Sequence, residues 1–117
     1  MGKLSQWRDR YVMWHAGTFP VPIFEDRVIV RERILFDGRV QKVGFRLEIE
    51  TLANRLSLAG FAQNVTSGQV LAEVQGTEQQ IDYLIMCMCS LKRASVTYVE
   101  RKRIAVIDEE HTFFSKF

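Results

Sequence analysis

Along most of this chain the apolar positions alternate in short runs and then recur at helical spacing, twice over. Val28, Ile29 and Val30, followed by Ile34, Leu35 and Phe36, read as a strand. Residues 37–43 then read as a loop. Phe45, Ile49, Leu52, Ala53 and Leu56 stand at i, i+4, i+7, i+8 and i+11, which places them on one side of a helix. Gly60 is expected to end that helix, as glycine commonly does. Phe61–Val65 and Gln69–Gln75 are two short strands, and Thr66, Ser67 and Gly68 between them suit a hairpin. In the second of these strands Val70, Ala72 and Val74 share one face, while Gln69, Leu71, Glu73 and Gln75 share the other. Thr77 with Gln80 three residues on makes a capping box. It opens a second helix whose stripe is Ile81, Leu84, Ile85, Met88 and Leu91. Ser95–Val99 reads as a strand running on towards Ile107, and residues 112–117 as one more short piece.

The order is strand, helix, strand, strand, helix, strand. Two helices with one apolar stripe each must cover one face of a sheet. The economical arrangement is an α+β, ferredoxin-like βαββαβ sandwich with an antiparallel-type sheet and both helices on one side. Residues 27–117 are expected to form this domain, and residues 1–26 an N-terminal extension. In that arm Leu4, Trp7, Tyr11 and Trp14 fall near a helical period, and Pro20 and Pro22 favour extended chain. Its aromatic residues either pack on the main domain or form a homodimer contact.

Composition narrows the picture. The 117 residues are 47% apolar and 26% charged, enough for one core and unlike a disordered chain. A net charge of +2 falls well short of a typical nucleic-acid binder, although Arg101, Lys102 and Arg103 sit together. No stretch approaches the roughly 18 apolar residues a membrane helix requires. The start, M-G-K-L-S-Q-W-R-D-R, lacks the apolar core of a secretion signal, so a cytoplasmic protein is expected. Cys87 and Cys89 fit a reducing compartment. On a helix they point about 200° apart, so they are expected to pack as small hydrophobes rather than bridge. His15 and His111 show no ligand pattern, and no metal site is indicated.

Two stretches carry candidate chemistry. G-R-V-Q-K-V-G-F-R, residues 38–46, joins a strand to the start of a helix. Such a corner offers unpaired N–H groups and the positive end of the helix dipole, where phosphate binds readily. Arg46, in the first helical turn, could grip two phosphate oxygens at once. The bland alternative is a plain connector. The second stretch, residues 60–76, reads as a hairpin in which Asn64 is polar. Taken alone, Asn64 could simply face water.

Together the two stretches resemble the acylphosphatase family, whose signatures read approximately G-x-V-Q-G-V-x-F-R and G-[FYW]-[AV]-x-N-x-x-x-G-x-V-x-x-x-x-x-G. The second matches at Gly60, Phe61, Ala62, Asn64, Gly68, Val70 and Gly76. The first matches at Gly38, Val40, Gln41, Val43, Phe45 and Arg46. The ending F-F-S-K-F, residues 113–117, is similar to the family's aromatic–basic–aromatic close. The resemblance implies hydrolysis of acyl phosphates to a carboxylate and inorganic phosphate, without metal or cofactor. It implies that Arg46 binds the phosphate and Asn64 positions the attacking water. The backbone N–H groups of Gln41, Lys42, Val43, Gly44 and Phe45 would complete a cradle. Acyl phosphate would be the substrate, and inorganic phosphate the product and an inhibitor.

The sequence departs from the pattern at Lys42, where the family has glycine, and at residues 90–95, which lack its usual Gly-Pro. If position 42 needs positive φ, a lysine there carries backbone strain. Two other readings stay open. One is a catalytically weak or inactive module that binds phosphate or another protein. The other, weaker because the aromatic RNP pattern is missing, is an RNA-binding sheet with Phe61 and Tyr98 as stacking platforms and residues 101–103 on phosphate.

Overall fold

The computed structural model describes Val21 and residues 27–116. The expected N-terminal extension, apart from Val21, and its homodimer contact lie outside the described residues, as does Phe117. The elements are β1 (Ile29–Arg39), α1 (Phe45–Arg55), β2 (Ala59–Asn64), β3 (Val70–Thr77), α2 (Glu78–Cys89), β4 (Ser95–Ile104) and β5 (Phe113–Lys116). They form one five-stranded sheet in the order β4-β1-β3-β2-β5. This is the ferredoxin-like α+β arrangement expected from the element order. The sheet is mixed rather than purely antiparallel, because β5 runs parallel to β2 along one edge.

Pairing puts like with like. Ile34 lies opposite Ala72, and Phe36 opposite Val70. These four are fully buried, and they join the stripes of both helices, Ile49 and Leu52 of α1 with Ile81, Leu84 and Met88 of α2, in one core. Phe45, the first residue of α1, meets Phe36 edge to face with ring centroids 5.1 Å apart. Burying side chains of this size stabilises the fold by about 1.5–3 kcal/mol each. The contact also fixes where α1 begins. The capping box at Thr77 is formed in both directions: Gln80 N donates to Thr77 Oγ1 and Thr77 N to Gln80 Oε1.

Two local expectations are corrected. Strand β1 runs through Asp37 and Gly38 to Arg39, with a register shift against β4 at Asp37/Gly38. The loop therefore begins later than residue 37, and the irregularity turns the chain out of the sheet. Helix α1 is not ended by Gly60. Ser57 takes the left-handed conformation (φ 60°), and Leu58 N reaches back to Ala53 O at 2.8 Å. That six-to-one bond is a Schellman ending with serine in glycine's usual place. Gly60 instead lies inside β2, where a Cβ would fall 1.9 Å from the Glu73 carbonyl oxygen. Only glycine permits that approach.

The face of the sheet away from the helices also differs from a simple solvated surface. Arg31 is 1% exposed and is held by Glu73 (3.1 Å), Glu110 (2.8 Å) and Gln75 (3.2 Å). Gln75 in turn exchanges two 2.8 Å hydrogen bonds with the backbone of Ile107. The segment after β4 thus folds over one end of this face. Two carboxylates and an amide replace the water that its guanidinium loses there.

Candidate active site

The corner between β1 and α1 contains two left-handed residues, Lys42 (φ 63°) and Gly44 (φ 77°). Gly44 is the N-cap of α1 and gives it no side-chain cap. Its carbonyl accepts the first helical hydrogen bond, from Glu48 N at 3.0 Å. The N–H groups of the first turn therefore point out of the helix end without a capping side chain, in contrast to α2. Lys42 adopts the strained alternative raised by its sequence. A non-glycine residue in this region carries a cost of roughly 1–2 kcal/mol.

Beside this corner lies a cavity of about 220 Å³ lined by Lys42, Gly44, Phe45, Arg46 and Asn64, with Val40 and Leu47. Arg46 and Asn64 thus meet at one small space. Its lining carries two cations and no carboxylate. Glu48, the nearest acid in the first turn of α1, is engaged by Arg93 at 2.6 Å. Of the other cradle positions, Gln41 and Val43 are not in the lining; each holds the corner from another direction.

The Gln41 side chain donates from Nε2 to Val65 O (2.7 Å) and Gln69 O (2.9 Å). These carbonyls flank the tight turn that follows Asn64, closed by Gly68 N to Val65 O. One amide therefore ties the corner to the hairpin that carries Asn64, and fixes the two halves of the site relative to each other. The Val43 carbonyl accepts from Arg93 Nε at 2.8 Å.

Arg46 reaches the far edge of the sheet, where its Nη1 donates to the Lys116 carbonyl at 3.1 Å. Residues 46, 50 and 54 share one side of α1, and all three meet β5. Ser115 Oγ donates to Glu50 at 2.7 Å, and Asn54 exchanges hydrogen bonds with the backbone of Phe113. Of the two acids on this helix, Glu48 pairs with Arg93 and Glu50 receives β5.

Other candidates are explained without chemistry. Cys87 is buried, and burial pushes its thiol up to about 12, so it is protonated at neutral pH and is no nucleophile. Cys89 is exposed rather than packed, its thiol also raised by partial burial. Among the described residues no group of three or more His, Cys, Asp or Glu converges where a metal ion would sit. No helix among them is long and apolar enough to cross a membrane. Arg101 is bound to Glu32 and Asp82, and Arg103 lies near Glu32 and Glu78. Phe61 is covered by Lys116, whose Nζ sits 3.8 Å from the ring centroid. Two of the three basic residues and one of the two platforms of an RNA reading are thus engaged within the chain. Tyr98 is exposed.

The chain is similar to known proteins in sequence and in fold. An acylphosphatase from Clostridium perfringens is 51% identical over 53 residues, which span 45% of this chain and 60% of that protein. An acylphosphatase from Clostridium beijerinckii is 33% identical over 93 residues, covering 76% of this chain and all of that protein. The crystal structure of acylphosphatase from Bacillus subtilis superposes with a TM-score of 0.70 at 27% identity, over 75% of this chain and 99% of that one. Residues 32–117 match the acylphosphatase family model, and the chain belongs to that family.

Proposed function

We propose that this protein hydrolyses acyl phosphates to a carboxylate and inorganic phosphate, with Arg46 and the corner backbone holding the phosphoryl group and Asn64 orienting the water. The observation that carries this reading is the convergence of Arg46, Asn64 and the uncapped start of α1 on one cavity free of carboxylates. An acyl phosphate already has a good leaving group. What remains is to hold the phosphoryl oxygens and aim one water in line with the bond that breaks. The guanidinium and backbone donors do the first, because their dipoles are fixed before the reaction begins. An amide suits the second: it both donates to and accepts from a water and stays neutral at any working pH. No step requires a metal or a general acid. The proposed setting is the cytoplasm, whose reducing conditions suit two free thiols.

Metal-free hydrolysis of benzoyl phosphate, with inorganic phosphate as a competitive inhibitor, is the expected result in a chelator-treated assay. Phosphate binding without turnover would instead identify a sensor or interaction module, and neither binding nor turnover would remove the reading altogether.

Lys42 adds a second cation at the expense of backbone strain. Replacing it with glycine exchanges that strain for glycine's greater loss of chain entropy, a net gain in stability of about 0.5–1 kcal/mol. The same change removes an ammonium from the cavity rim. Lys42→Gly is therefore expected to unfold at higher urea and to bind inorganic phosphate severalfold more weakly, with the difference shrinking as salt is raised. A large rise in turnover would show instead that the lysine obstructs the cradle.

A further inference from the structure

Arg93 follows α2, in the segment that departs from the family's usual Gly-Pro, and touches the corner from behind. Its Nε donates to the Val43 carbonyl at 2.8 Å and its Nη2 to Glu48 Oε1 at 2.6 Å. It also lies over Gly44, where a Cβ would come 3.7 Å from its Nε. The peptide joining Val43 to Gly44 is trans, as no cis bond occurs among the described residues. In a planar trans peptide the N–H points opposite to the C=O. Holding the Val43 oxygen towards Arg93 therefore turns the Gly44 N–H the other way, and Gly44 lines the cavity. Left-handed residues on both sides of Val43 leave this peptide without the restraint of regular structure. Glycine on its far side makes rotation cheaper still.

We infer that Arg93 is a positioning residue that sets the Gly44 N–H for phosphate by fixing the orientation of the Val43–Gly44 peptide. It acts through the backbone and touches no substrate. Glu48 holds the guanidinium in place and is itself drawn away from the anion site. The inference rests on the cradle reading above and adds to it a residue from a distant part of the chain.

The test is titration of 15N-labelled protein with inorganic phosphate, following the Gly44 amide, beside phosphate inhibition of benzoyl phosphate hydrolysis. The parent protein is expected to show a downfield shift of the Gly44 amide proton on saturation. In Arg93→Ala that shift should fall by more than half, and phosphate should bind about tenfold more weakly, less than the loss of a whole donor. Arg93→Lys, which can keep one bond but not both, should lie between. Added guanidinium at millimolar concentration should restore part of the affinity of Arg93→Ala, which a merely structural defect would not allow. If Arg93→Ala does not fold, Arg93→Gln, which keeps a stem and an amide donor, replaces it. A Gly44 shift and a phosphate affinity within twofold of the parent, in whichever variant folds, overturn the inference. A parent protein that hydrolyses benzoyl phosphate with no Gly44 response overturns it and leaves the proposed function standing. A parent that neither binds nor hydrolyses overturns both.

Discussion

Arg46→Ala is expected to lower kcat/KM for benzoyl phosphate by at least 10²–10³-fold, about 2.7–4 kcal/mol of lost transition-state stabilisation. The loss should appear in both constants. Without the guanidinium, phosphate affinity falls, and the charge spread over the phosphoryl oxygens during transfer is no longer balanced. Arg46→Lys should recover little, because a point charge cannot match a planar fork on two oxygens. Stability should change far less. The hydrogen bond to the Lys116 carbonyl is exposed, and a bond of this kind contributes about 0.5–1.5 kcal/mol. Steady-state kinetics with urea denaturation on the same samples separates the two effects. An Arg46→Ala protein within tenfold of the parent would remove Arg46 from the reaction.

Asn64→Ala should produce a fall of similar size with a different signature. Asn64 is exposed at the end of β2, and its backbone pairing with Val70 does not depend on the amide. Its removal takes away the group that aims the water and leaves the phosphate donors in place. Turnover should drop about 10²–10³-fold while the inhibition constant for inorganic phosphate stays within about twofold. The contrast between the two variants is the stringent part of the expectation. If Asn64→Ala weakens phosphate binding as much as turnover, the amide contacts the phosphoryl group and the division of labour is wrong.

The framework was legible in the sequence because the apolar spacing is unambiguous. The stripe through Phe45, Ile49, Leu52 and Ala53 is buried, and the Thr77–Gln80 box is formed as written. Arg46 and Asn64 were legible through two signatures whose residues come together only in space. What the sequence hid were interactions whose partners lie far along the chain. Nothing local says that Arg31 is buried beneath Glu110, 79 residues away, since an arginine in an alternating strand normally faces water. Ser57 in the left-handed region was hidden for another reason: glycine usually fills that role, and Gly60 stood nearby as a decoy. Arg93 was visible only as a missing Gly-Pro, a departure that gave no hint of its hold on Val43 and Glu48. The mixed sheet was missed because β5 is four residues long and pairs parallel to β2, a direction no hairpin pattern announces.

The carbonyl that steadies Arg46 belongs to a strand 70 residues further along. A ribosome delivering this chain releases the phosphate corner and the asparagine hairpin long before that strand emerges. A nascent polypeptide stalled ahead of β5 would hold every side chain proposed for the chemistry, yet Arg46 would lack its bond to the Lys116 carbonyl. In the proposed reaction the setting of Arg46 by this bond would thus follow the emergence of both signature stretches, and come with the pairing of β5 beside β2.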